Sequence, residues 1–138
     1  VSIWSLANAK VHRAFNAHHD GVTALSFSRD GASLISAGRD AAVMVWSVNE
    51  GERRRHFTVG AGSDPVEYVA VSSDGHYIAA TCSRSLWILP VESGESELSF
   101  VFDRRVGPLT LSSDRETVLV GELTGRIHRL ALEQARRQ

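Results

Sequence analysis

An all-β protein built from repeated sheets is what this sequence predicts, on three observations. Similar strings recur: VSIWSL (1–6), VMVWSV (43–48), SLWILP (85–90) and GRIHRL (125–130) align Trp4, Trp46, Trp87 and His128, which lie 42, 41 and 41 residues apart. A second series, SFSRDG (26–31), AVSSDG (70–75) and TLSSDR (110–115), carries Asp30, Asp74 and Asp114 at spacings of 44 and 40, and eight places before each Asp stands Val22, Val66 or Val106. No stretch sustains a 3.6-residue apolar period, the short tail LALEQARRQ being the one helical candidate. A period of about 40 residues is the mark of a repeat architecture, in which each unit buries its face against its neighbours.

The elements follow in order. VSIWSL reads as the third strand of a unit because it aligns with VMVWSV, and KVHRAFN is that unit's outer strand. In the first complete unit VTALSFS alternates apolar and polar residues, Arg-Asp-Gly supplies a turn, and ASLISAG is the second strand. RDAA is the next turn and VMVWSV, rich in β-branched residues, the third strand. After NEG, the Arg-bearing RRRHFTV suits an exposed edge. The following unit gives VEYVAVS, HYIAAT, SLWILPV and ELSFVF; the last gives only GPLTLSS, TVLVGEL and RIHRLAL. The expected division is therefore 1–17, 18–59, 60–103 and 104–132, with a tail at 133–138, in strand groups of two, four, four and three.

Composition excludes several classes. At 138 residues, 43% hydrophobic and 22% charged, the chain has ordinary globular composition. Its formal charge of −1 gives no reason to expect a whole-surface nucleic-acid or membrane binder. Arg53-Arg54-Arg55, Arg104-Arg105 and Arg136-Arg137 are local basic spots, read as solvated edges or loops. Cys82 is the single cysteine and can form neither an intrachain disulfide nor a zinc site alone. No run reaches the roughly 18 apolar residues of a membrane span. These features fit a soluble intracellular protein of a reducing compartment, whether nuclear, cytoplasmic or ciliary.

Four strands per unit of this length resembles the WD-repeat family, whose units are the blades of a β-propeller. The resemblance is densest in residues 18–47. His18, four places before Val22, matches the family's His in the loop leading into a blade; Ser36, Asp40 and Trp46 match its second-strand hydroxyl, hairpin Asp and third-strand Trp. The resemblance implies that these four form a buried hydrogen-bonded chain, with adjacent His19 facing solvent. Unit two has Gly62 in the His slot and a shortened hairpin without Asp; unit three keeps Glu122 six before His128 but lacks the Trp. Those two blades are expected to rely on apolar packing. By the same resemblance the chain is expected to be the last three-odd blades of a larger, seven-bladed propeller, completed by the same protein or by another copy. Its ends would then expose Val1, Ile3, Ile127 and Leu130, and residues 1–138 alone would not be a stable monomer.

Catalysis finds no support. A Ser36–His18–Asp40 hydrolase lacks the nucleophile elbow, and no P-loop or dinucleotide fingerprint is present. His18, His19 and Asp20 do not gather enough ligands for a metal, the other histidines occupying different repeat positions. No cofactor or metal is expected. Function is assigned to loops that differ between blades: His19, Asp20 and Arg39 in the first full blade, Glu67 and Arg84 in the second, Arg105 and Leu123 in the third. The expected role is a protein-interaction scaffold inside a multiprotein assembly. The alternative is a recognition module for a peptide or for RNA in a ribonucleoprotein of the nucleolar processome kind, or an axonemal component.

Overall fold

A computed structural model describes residues 1–92, 98–113 and 117–132. Asp114 and the 133–138 tail, including Arg136-Arg137, lie outside the described residues. The described part is antiparallel β-structure in four sheets. The first holds β1 (Ser2–Ser5) and β2 (Lys10–Ala14). The second holds β3 (Val22–Phe27), β4 (Ser33–Gly38), β5 (Ala42–Ser47) and β6 (Arg53–Thr58). The third holds β7 (Val66–Val71), β8 (Tyr77–Cys82), β9 (Ser85–Pro90) and β10 (Leu98–Val101). The fourth holds β11 (Val106–Leu111), β12 (Thr117–Glu122) and β13 (Ile127–Ala131). Strands are paired in chain order within every sheet, and β3, β7 and β11 pack beside one another. This is the blade arrangement of a β-propeller.

The first turn of each blade is fixed by a serine. The amide of Ser28, Ser72 and Ser112 donates to the carbonyl of Ser33, Tyr77 and Thr117, each at 2.9 Å. The same three serine hydroxyls accept the amide of that partner residue, at 2.9, 3.0 and 3.1 Å. In the first two turns the hydroxyl also donates to Asp30 or Asp74, whose carboxylate takes the amide of Ala32 or His76. The glycine that follows, Gly31 or Gly75, has φ of 71° or 76°, a conformation that L side chains rarely adopt. The Ser-Xaa-Asp-Gly pattern thus forms a closed turn in each of these blades.

Three apolar layers fill the spaces between sheets. Phe15, Leu34, Met44 and Trp46 lie between the first and second sheets. Ile35, Val43, Val45, Ile78 and Leu89 lie between the second and third. Ala79, Leu86, Ile88 and Val118 lie between the third and fourth. β4 and β5 are buried on both faces, whereas Arg53, Arg54 and Arg55 of the outer β6 are exposed. Repetition of sheet against sheet stabilises each blade through its neighbours.

The end faces are less open than the sequence suggested. Val1 and Ile3 are half-buried against the first layer and Leu130 against the third, because each sits on the face that meets an adjacent blade. Ile127 is 74% exposed. Trp4, Leu25 and Phe27, which border one cleft beside β1 and β3, are also largely exposed.

Candidate functional site

The structure brings His18, Ser36, Asp40 and Trp46 together. The Trp46 indole donates to Ser36 Oγ at 3.0 Å; Ser36 Oγ and His18 Nε2 are 2.8 Å apart, and His18 Nδ1 and Asp40 Oδ1 are also 2.8 Å apart. Every polar atom is satisfied when the donors run one way: indole N–H to serine, serine O–H to Nε2, and Nδ1–H to the carboxylate. The His18 side chain is fully buried, and Ser36 is at 0% exposure. Asp40 also takes the amides of His19 and Ala42, each at 3.3 Å, so it closes its own hairpin as well as orienting the imidazole. Burial acts to raise the Asp40 carboxyl, but the hydrogen bond and electrostatic attraction of the His18 ring, with those two amides, outweigh it and hold the group below its ordinary value.

Gly38, which the sequence did not single out, completes this group. A Cβ there would stand 2.4 Å from His18 Nδ1 and 2.6 Å from Asp40 Oδ1. The glycine is needed for close approach of an imidazole to the strand.

Strand register corrects the alignment of Trp87 and His128 with Trp46. Trp46 stands opposite Leu34, one place after Ser33; the equivalent pairs are Leu89 with Ile78 and Leu130 with Val118. Trp87 and His128 instead stand opposite Ala80 and Val120, as Met44 stands opposite Ser36. Trp4 does share the Trp46 slot, each following the register shift against its outer strand. The discrepancy was visible in the spacings: the Asp series advances by 44 where the Trp series advances by 41. Trp87 Nε1 is accordingly buried with no hydrogen-bond partner among the described residues.

Blade three carries a smaller polar group of its own. His128 Nε2 lies 2.9 Å from Glu122 Oε1, and Thr124 Oγ1 donates to Glu122 Oε2 at 2.7 Å. The Thr124 hydroxyl and then His128 lower the Glu122 carboxyl from its ordinary value. Beside the apolar layer expected for this blade, the acid and imidazole that the sequence places six residues apart thus meet each other.

Six of the seven residues named from sequence lie in lead-in loops or second hairpins, and Glu67 lies in β7. The Arg39 amide donates to Gly21 O, that of Phe102 to Arg84 O, and that of Leu123 to Arg105 O, which ties the lead-in loops to the second hairpins. His19, Asp20, Arg39, Arg84 and Leu123 are exposed. Glu67 and Arg105, expected to be separate contact points, form an ion pair with each other across the two blades. Each lies beside the register shift that opens β7 or β11. Thr23, at the corresponding shift in β3, donates to Val66 O of the next blade, and buried Thr81 donates to Gly107 O at 3.0 Å. These irregularities turn single residues toward the neighbouring blade.

No group of His, Cys, Asp and Glu that could hold a metal occurs among the described residues. Cys82 is buried, and burial, with the nearby charges of Asp64 and Glu67, pushes its thiol up to about 11. No helix among the described residues is long and apolar enough to cross a membrane.

Asp40→Ala is expected to cost about 1–3 kcal/mol by stranding His18, while exposed Asp20→Ala stays within about 0.5 kcal/mol. Because the Asp40 carboxyl is lowered in the fold, its contribution is present above the ordinary carboxylate value and is lost as pH falls through the lowered one. Urea melts at neutral and acid pH check both; equal midpoints for the two mutants would defeat the assignment. Trp46→Phe should likewise cost about 1 kcal/mol more than Trp87→Phe, since only the first removes a made hydrogen bond. Equal losses in the same melts would count against the register assignment.

Comparison with known proteins agrees with this geometry. The family model "WD domain, G-beta repeat" matches residues 9–47. Small ribosomal subunit protein RACK1 of Caenorhabditis elegans is 27% identical over 92 residues, covering 67% of this chain and 27% of that protein. Pre-rRNA-processing protein IPI3 of Mycosarcoma maydis is 35% identical over 48 residues, or 35% of this chain and 8% of that one. The β-propeller domain of Cps50 (Swd1) from Myceliophteria thermophila superposes with a TM-score of 0.85 at 21% identity, covering 97% of this chain and 45% of that domain. The chain thus spans about a quarter of the length of RACK1 and under half of the propeller domain.

Proposed function

We propose that this chain, whose residues 9–47 match the WD-repeat model and whose fold is that of a β-propeller, is a non-catalytic protein-interaction scaffold within a larger intracellular assembly. The observation that carries this reading is the division of labour in blade one. The serine, histidine and aspartate that a hydrolase would need are consumed in a buried network, while the rim above it offers exposed side chains on rigid hairpins. Two relatives are named as a small ribosomal subunit protein and a pre-rRNA-processing protein. They support an assembly role and make RNA in a ribonucleoprotein the second reading. The exposed Trp4, Leu25 and Phe27 beside the two-stranded first sheet support completion of that blade by two further strands, from the same protein or another copy.

His19, Asp20, Arg39, Glu67, Arg84, Arg105 and Leu123 form the proposed contact rim. Reversing Arg39 and Arg84 to Glu together is expected to reduce recovery of protein partners by affinity capture of the full-length protein, through lost charge complementarity. Unchanged recovery would count against this face; loss of RNA with protein partners retained would favour the second reading.

A further inference from the structure

We infer that the cleft between the end of β10 and the β12–β13 hairpin receives an acidic segment of a protein partner. The inference rests on the scaffold reading and gives that partner a chemistry. The cleft, of about 740 Å³, is lined by Phe102, Asp103, Arg104, Glu122, Arg126 and His128, with Val101 and Thr124 completing it. Arg104 and Arg126 are exposed and make no ion pair with any described residue. Glu122, whose side chain is 5% exposed, is held by His128 and Thr124, and the charge of Arg126 acts on it without an ion-pair contact. His128 is in turn fixed against Phe102, with ring centroids 4.8 Å apart. Two planar guanidinium groups are thus left facing a concave surface, an arrangement suited to bidentate recognition of oxyanions. Exposed Asp103 is an acid of the cleft that makes no ion pair with a described residue, and it disfavours a densely charged ligand over a peptide with spaced carboxylates. The exposed Val101 alongside offers apolar contact for side chains between those carboxylates. Arg84, whose carbonyl takes the Phe102 amide, makes the cleft continuous with the contact rim.

The test measures fluorescence anisotropy of a labelled Leu-Glu-Glu-Leu-Glu-Glu peptide on the full-length protein at low salt. Parallel arms use its phosphoserine and its glutamine counterparts. The expected result is saturable binding of the glutamate form, weaker binding of the phosphoserine form and none of the glutamine form. Binding should weaken about tenfold or more in R104Q/R126Q and stay unchanged in R53Q/R55Q, which alters exposed arginines of β6. Tighter binding of the phosphoserine form would overturn the assignment to spaced carboxylates. Absence of binding by both, equal weakening in R53Q/R55Q, or tighter binding of a short single-stranded RNA through the same two arginines would overturn the inference. Circular dichroism of each variant separates lost binding from lost folding. Partner capture that survives R104Q/R126Q but fails in R39E/R84E would remove this inference and leave the scaffold reading standing.

Discussion

Gly38→Ala is expected to lower stability by about 3 kcal/mol, although it adds a single methyl group to a strand where alanine is ordinarily tolerated. The added carbon would meet His18 Nδ1, His18 Cγ and Asp40 Oδ1 at 2.4, 2.5 and 2.6 Å. The imidazole has no room to yield, being fully buried and bonded at both nitrogens. Relief therefore requires breaking the hydrogen bonds to Asp40 or Ser36, which leaves buried polar atoms unpaired. Gly107→Ala is the control: its Cβ would make ordinary contacts at 3.5 Å to Leu123 and 3.6 Å to Tyr68, and the expected change is within about 1 kcal/mol. Thermal and urea melts of both variants in the full-length protein decide the matter. A Gly38→Ala variant as stable as Gly107→Ala would show that the imidazole does not need this close approach.

Leu89→Ala is expected to be comparably damaging, at about 2–5 kcal/mol. Leu89 is at 0% exposure in the layer between the second and third sheets and occupies the slot that Trp46 fills one blade earlier. Packing against buried Ile35, Val43 and Val45 on one side and its own sheet on the other leaves little freedom to collapse around the void. Leu123→Ala, at a residue 67% exposed, should stay within about 0.5 kcal/mol in the same melts. A loss at Leu89 no larger than at Leu123 would remove the layer from its assigned role in joining the blades.

The strands and the four-residue network were legible because both are written in local or repeated patterns. Alternation marked β3, β-branched residues marked β5, and Ser-Xaa-Asp-Gly marked the first turns. What escaped the sequence depends on spacing across strands. Trp87 misled because it stands two places before the slot that Leu89 fills, in a blade whose hairpin is also one residue shorter: Thr81 pairs with Leu86, whereas Ala37 pairs with Val43. One residue gained or lost in a β-hairpin changes which residues meet. Glu67 and Arg105 were each read as contact points because their mutual pairing joins positions 38 apart in the chain. Gly38 went unnoticed because its requirement is the absence of a side chain, which only the neighbouring imidazole makes visible.

The serine-closed first turns carry a consequence for how sequence change is tolerated here. Ser28, Ser72 and Ser112 fasten the same two backbone groups whether or not their blade holds the indole–hydroxyl–imidazole–carboxylate chain. Registration of the first two strands is therefore a separate module from whatever chemistry the opposite hairpin holds. Blade two can shorten that hairpin, and blade three can exchange the whole chain for Glu122 and His128, without disturbing the fastening at the other end. Grafting follows the same rule: a hairpin from blade one transplanted onto β8 and β9 needs its own Gly and His, but it inherits its alignment from a serine already in place.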